Sequence, residues 1–167
     1  MKLKMFISPF KNKKAMGGLD TLIYGLFVVI IFNLLLYGLA SYLHNSTTRS
    51  YNMLANSLVD SACENREINT AMEQYYSEQV SRFDWYAKEN TITIETISFK
   101  GNKISKKVVG IIRNGKPCGE IKLDVGSIVH VEISSGKNNY LTKMSNLILG
   151  EDETSIQAIG FGEGLVR

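Results

Sequence analysis

The chain has 167 residues, 44% of them hydrophobic and 21% charged, with a formal net charge of +3, a mean hydropathy of −0.04 and a pI of about 8.8. These values exclude a disordered chain, a collagen-like repeat and a disulfide-dense mini-protein, and they leave room for about one domain with a modest core. They also conceal an asymmetry: Lys2, Lys4, Lys11, Lys13 and Lys14 crowd the first 14 residues, and the remainder carries 14 basic against 16 acidic side chains. The basic pI belongs to a short leader and implies no nucleic-acid partner.

From Leu22 to Leu43 no side chain is charged. As a helix this run covers roughly 33 Å, against a hydrocarbon core of about 30 Å. It lacks the polar stripe of a soluble helix. The expectation is one transmembrane helix over residues 21–43. A cleaved signal peptide would carry a shorter apolar core, about 7–15 residues, and a small-residue site; Ala40-Ser41-Tyr42 matches such a site poorly. The lysines precede the span, and only His44 and Arg49 follow closely. The positive-inside rule therefore places residues 1–20 in the cytoplasm and residues 44–167 beyond the cytoplasmic membrane. Asn33 is the strongly polar group in mid-span. Its amide either bonds its own helix or reaches a second helix, a contact worth about 1 kcal/mol.

Neither Gly nor Pro occurs between Gly38 and Gly101, whereas ten of the 14 glycines lie from Gly101 onward. Breakers punctuate chains, so a helical front precedes a turn-rich back. Tyr51, Leu54, Ala55, Leu58, Val59 and Ala62 recur at helical spacing and mark one apolar face; Asn52, Asn56, Ser57, Asp60 and Glu64 lie opposite. Met72, Tyr75, Tyr76 and Val80 continue the pattern. Residues 44–89 read as an amphipathic extracytoplasmic helical region, with weak points at 44–50 and 64–68 in one long helix from about Asp20 to Arg82.

Beyond Glu89 the period falls to two. Ile92 and Ile94, then Ile97 and Phe99, alternate with polar residues, and the slip at Glu95-Thr96 suggests a bulge. Val108–Ile112 runs into Asn114-Gly115, a strong hairpin signal, and Ile121, Leu123 and Val125 alternate after it. Val129, Val131 and Ile133 alternate with outward His130 and Glu132, and Ser155–Gly162 suggests a last strand. Residues 90–167 thus read as a small antiparallel sheet, giving an α+β fold: a transmembrane helix, its amphipathic continuation, then the sheet.

Chemistry-bearing motifs are thin. Gly110–Lys116 fits the start of a phosphate-binding loop, but Pro117 stands where Ser or Thr would hold magnesium, so a turn is expected. His44 and His130 lack further ligands at metal spacing. No enzyme activity, cofactor, metal or small-molecule substrate is expected. Cys63 and Cys118 allow one pairing, a helix-to-sheet disulfide; the other reading is two small buried residues that never meet. Phe83, Trp85 and Tyr86 read as core anchors.

The junction Lys14-Ala15-Met16-Gly17-Gly18-Leu19-Asp20 stands before the span. Its small residues leave the backbone open to a protease, and Asp20 suits the helix dipole and the headgroup region. This junction resembles the start of the TadE-like pseudopilins of tight-adherence, type IV pilus-related systems, which reads Arg-Gly-x-small-small-aliphatic-Glu before an apolar helix. The plan of helix, amphipathic continuation and short β-rich tail is also similar, and Gly126–Ile133 looks like that family's late strand. Ala15 and Asp20 depart from the family's Gly and Glu. The resemblance implies a pilin-like fold and cleavage by a prepilin peptidase between Ala15 and Met16, with Asp20 as the fifth mature residue and its carboxylate pairing with a neighbouring subunit's new amino terminus. Cleavage after Gly17 or Gly18 is the alternative, which leaves Leu22 or Ile23 in fifth place. The implied partners are the membrane, other pilin-like subunits, their assembly machinery and the peptidase. A rival expectation is an uncleaved single-pass protein whose ectodomain is an envelope binding module.

Overall fold

The computed structural model describes residues 13–100, 103–113, 116, 118–149 and 155–167. A 53-residue helix, α1 (Lys13–Asn65), opens the fold. It begins ahead of Asp20 and runs through residues 44–50 unbroken, because that polar stretch contains neither Gly nor Pro and Thr47 and Ser50 return their hydroxyls to the carbonyls of Leu43 and Ser46. The packed unit extends from Leu39 to Arg167.

The helix stops where Arg66 turns left-handed, at φ 57°. Two-residue β1 (Glu67–Ile68) follows, then α2 (Thr70–Ser81). Asn69 starts α2, its Oδ1 accepting from the Met72 amide at 2.9 Å. The long helix to Arg82 is interrupted at the expected weak point 64–68, where a two-residue strand joins α1 to α2. The α1 face predicted from spacing is the buried one: Tyr51, Ala55, Leu58, Val59 and Ala62 are all buried. The hydroxyl of Tyr76 meets those of Ser57 at 2.9 Å and Ser61 at 3.2 Å, fastening α2 to α1. Tyr75 is exposed, contrary to its place in the predicted apolar pattern.

The main sheet is antiparallel with order β3-β2-β5-β6, formed by β2 (Asn90–Lys100), β3 (Lys103–Arg113), β5 (Ile128–Ser135) and β6 (Ile159–Leu165). Val129, Val131 and Ile133 point inward with Ile92 and Ile94, and His130 faces out to Glu163 at 2.9 Å. The bulge exists, but it sits on the partner strand. Ile94 pairs with Gly110 and Glu95 with Val108, leaving Val109 as the extra residue. Against β5, β2 alternates without a slip. Ile97 and Phe99 therefore fall on the outer face, where Phe99 is exposed.

Two expectations for the middle of the chain are corrected. Strand β3 pairs back onto β2 and not forward onto 121–125. The segment after β3 crosses the face of Gly110: a Cβ there would meet Cys118 Sγ at 2.6 Å and Ile121 Cδ1 at 2.7 Å. Only β4 (Ile121–Lys122) forms, and it pairs with β1. Val125 lies in a turn, closed by the Ser127 amide on Asp124 O at 3.1 Å, with Gly126 at φ 84°. Asn114, Gly115 and Pro117 lie outside the described residues; Gly110 itself is strand, not a phosphate-binding loop. The expected all-strand back also contains a helix, α3 (Tyr140–Leu149), capped by Asn139, whose Oδ1 accepts from the Thr142 amide at 2.9 Å.

Strand β6 approaches α1 backbone to backbone. A Cβ on Gly162 would stand 2.6 Å from the Ala55 carbonyl carbon and oxygen, one on Gly160 would collide with Tyr51 and Asn52, and one on Gly164 would come 2.5 Å from Val59 Cγ1. Only glycine at alternate positions permits this contact.

One α1 hydroxyl has no partner: Thr48 Oγ1 is buried and unbonded among the described residues. An unmet buried hydroxyl costs about 1–3 kcal/mol. Thr48→Val keeps the shape and removes the polar atom, so it should raise the thermal midpoint by about 2–4 °C. An unchanged or lowered midpoint would show that the hydroxyl is satisfied in solution.

Candidate functional site

Two regions carry the candidate functional residues: the apolar half of α1, and the packed unit's loop beside His44. In the first, the backbone at Gly17 and Gly18 is open, and a Cβ on either would meet nothing within 4 Å. Yet this junction is helical, not extended. Ala15 and Met16 lie within α1, and their side chains are outside the described residues. Thr21 Oγ1 donates to Gly17 O at 2.8 Å. The exposed Asp20 carboxylate has no hydrogen bond or ion pair among the described residues.

From Asp20 the helix presents apolar side chains on all sides. Leu22 is 73% exposed and Phe27 58%, and α1 is long and apolar enough to cross a bilayer, with none of its most apolar window buried. An uncovered apolar surface of this size is of the kind that marks a membrane or protein contact. Asn33 Nδ2 donates to Val29 O at 2.9 Å, within its own helix.

In the second region, His44 Nδ1 and Tyr86 Oη lie 2.7 Å apart. Tyr86 is buried, and burial pushes its hydroxyl up to about 12. Burial also lowers the His44 imidazole below its usual value. Deeper in, Tyr51 Oη donates to Asn90 Oδ1 at 2.8 Å, and Asn90 Nδ2 donates to Ala87 O at 3.0 Å and Asp84 Oδ1 at 3.2 Å. The Phe83 ring meets Tyr51 edge-on at 5.4 Å. Tyr86 and Phe83 are thus packed as expected, but Trp85 is 55% exposed and is no core anchor.

The sign of the His44 effect follows from its lowered value. The unfolded chain takes the proton more readily, so this contribution is present above about pH 6.5 and is lost as pH falls through the lower folded value. The stability gap between the native chain and His44→Asn should therefore narrow on acidification from pH 7 to pH 5, read by thermal unfolding at each pH. A constant gap would refute this.

Of the two readings of the cysteines, the structure has the one without a disulfide: both are free, though Cys63 is half-buried and Cys118 exposed, not buried. Cys63 Sγ lies where a Gly164 Cβ would come within 3.0 Å, and burial and Asp60 raise its thiol. Cys118 Sγ donates to Glu73 Oε1 at 2.7 Å, while the Gly119 amide donates to Oε2 at 3.2 Å. Burial, then the hydrogen bond and charge of Glu73, push the Cys118 thiol up to about 11. A thiol raised in this way stays protonated and serves Glu73 as a hydrogen-bond donor. Glu73 is 1% exposed and went unnoticed in the sequence. Its signal was position: it shares a helical stripe with Tyr76 and Val80.

A cleft of about 550 Å3 opens between α2 and the sheet, with Glu78, Asp84 and Lys88 at its rim and Val80, Ile92 and Ile112 as its floor. Ser77 and Ser81 line it without a histidine or cysteine beside them. Among the described residues, no group of three or more His, Cys, Asp or Glu side chains is placed to hold a metal ion.

Fold and site together define an α+β protein: a long helix, apolar and uncovered in its N-terminal part, joined to a small antiparallel sheet that packs on its C-terminal part. No family model, curated protein or solved structure matches the chain.

Proposed function

We propose that this chain is a pseudopilin-like structural subunit of a bacterial pilus or secretion apparatus, acting by helix packing and not by catalysis. The observation that carries the reading is α1 itself: a 53-residue helix with a carboxylate, Asp20, unpaired among the described residues, at the head of an uncovered apolar surface, and a C-terminal part committed to a folded sheet. In the membrane the helix holds the subunit, with the lysine leader inside and the sheet outside. In an assembly the same surface, including Tyr24, Phe27, Phe32 and Tyr37, packs against other helices. The Asp20 carboxylate sets register by pairing with a neighbour's amino terminus, since an unpaired charge in that setting is costly. A prepilin peptidase removes the leader after Ala15, or after Gly17 or Gly18.

One observation favours the rival reading, an uncleaved single-pass protein presenting an envelope binding module: the junction is already helical at Lys13, whereas a protease needs an accessible, locally opened backbone. Amino-terminal sequencing of the protein from its own host separates the two. A start at Met16, Gly18 or Leu19 supports the subunit; an intact leader with all five lysines supports the anchored module.

A further inference from the structure

We infer that the loop after α2 seats Trp85 in the headgroup layer of the bilayer, so that the sheet domain rests on the membrane through a second contact besides its helix. This rests on the membrane reading of α1. Trp85 is the chain's single tryptophan, and it is 55% exposed beside buried Tyr86 and Ala87. Its backbone is not loose. The amides of Phe83 and Asp84 donate to the carbonyls of Val80 and Ser81, and those of Tyr86 and Ala87 donate to Phe83 O, all at 2.8–3.1 Å. Asn90 grips the loop from within through Asp84 and Ala87. The indole is therefore held outward on a braced loop. Turning so large a ring to water forgoes apolar burial, a cost removed if another apolar phase receives it.

The chain's geometry names that phase. The Trp85 ring lies edge-on to Tyr86, with centroids 5.9 Å apart. The Tyr86 hydroxyl meets His44 at 2.7 Å, and His44 directly follows the uncharged run Leu22–Leu43. Two links thus tie the indole to the residue at which the apolar span ends. Tyr42, 70% exposed, stands at the same end of the helix. Lys88 follows in the loop, exposed. Exposed Trp and Tyr with a cation where an apolar helix leaves the membrane is the composition of an interfacial belt: the ring meets acyl chains and the indole N–H meets headgroups.

The single tryptophan makes the test direct. The full-length chain is reconstituted into phosphatidylcholine vesicles carrying a nitroxide either on the headgroup or deep on the acyl chain, and tryptophan quenching is compared. Trp85 should be quenched several-fold more by the headgroup label than by the deep one, with emission shifted to the blue of free indole in water. A Phe32→Trp, Trp85→Phe double variant moves the reporter to mid-span, where the deep label should quench it most. If the mid-span reporter is quenched and Trp85 is not, the loop does not touch lipid and the inference fails while the membrane reading stands. A blue-shifted Trp85 insensitive to both labels would mean a protein contact, which also overturns it. If neither reporter is quenched, α1 does not span and both readings fall together.

Discussion

Gly162→Ala should destabilise the packed unit by about 2–3 kcal/mol, which for a chain of this size lowers the thermal midpoint by roughly 5–10 °C. The added methyl would stand 2.6 Å from the Ala55 carbonyl and 2.7 Å from the Asn56 amide. These are backbone atoms of a continuous helix, so no side chain can rotate away. Either β6 leaves α1 or the helix bends, and each opens the core at Val131, the residue paired with Gly162 across the sheet. Phe161→Ala provides the comparison. It alters the outward neighbour, which is half-exposed, and should change the midpoint by about 1 °C or less, as surface substitutions do. Unfolding followed by circular dichroism in detergent checks both. A Gly162→Ala midpoint equal to that of the native chain would mean that β6 and α1 are not in backbone contact.

Asp20→Ala should leave membrane insertion intact and abolish assembly. Insertion depends on the uncharged run from Leu22 to Leu43, which the change does not touch. Assembly, in the proposed function, depends on one carboxylate meeting one amino terminus among apolar helices. Removing one partner of such a pair costs about 3 kcal/mol or more, on the order of a 100-fold loss in subunit affinity, because the other charge is left unpaired. Asp20→Glu keeps the charge and should retain most assembly. Carbonate extraction reads insertion, and cross-linking in cell envelopes reads assembly. If Asp20→Ala assembles like the native chain, the carboxylate does not set register.

The long elements were legible where a period persisted. The α1 face from Tyr51 to Ala62 and the alternation Val129–Ile133 were visible because burial on one side leaves an apolar residue at every turn or every second position. What misled were local signals that another segment overruled. Asn114-Gly115 is a strong turn signal, yet the ladder on β3 runs back onto β2, and Ile121–Lys122 pair with β1 instead. The slip at Glu95-Thr96 was real in the ladder but borne by Val109. Helix α3 was missed because ten residues with a polar cap at Asn139 resemble a loop when taken singly.

The site shows the same division. Asp20, Gly17, Gly18 and Asn33 could be singled out because an apolar run makes any polar or small residue conspicuous. Trp85 read as a core anchor and is exposed, because a lone aromatic does not fix which way its element faces; Glu73 stood on the buried stripe of α2, but an acidic side chain there does not look like core. Gly160 and Gly162 fell in the expected last strand, but nothing in that stretch pointed to the helix lying against them.

The sequence by itself determined the lysine leader, the uncharged run of membrane length, the apolar face of α1 and the presence of an antiparallel sheet. These depend on composition and period, which are properties of neighbouring residues. Only the tertiary structure decided that Cys63 and Cys118 stay apart, that Glu73 is buried against a thiol, that glycines seat β6 on α1, and that Trp85 faces outward beside the end of the uncharged run. The Glu73–Cys118 and β6–α1 contacts join segments 45 or more residues apart, and their energy comes from which surfaces meet, a quantity no single stretch of chain contains.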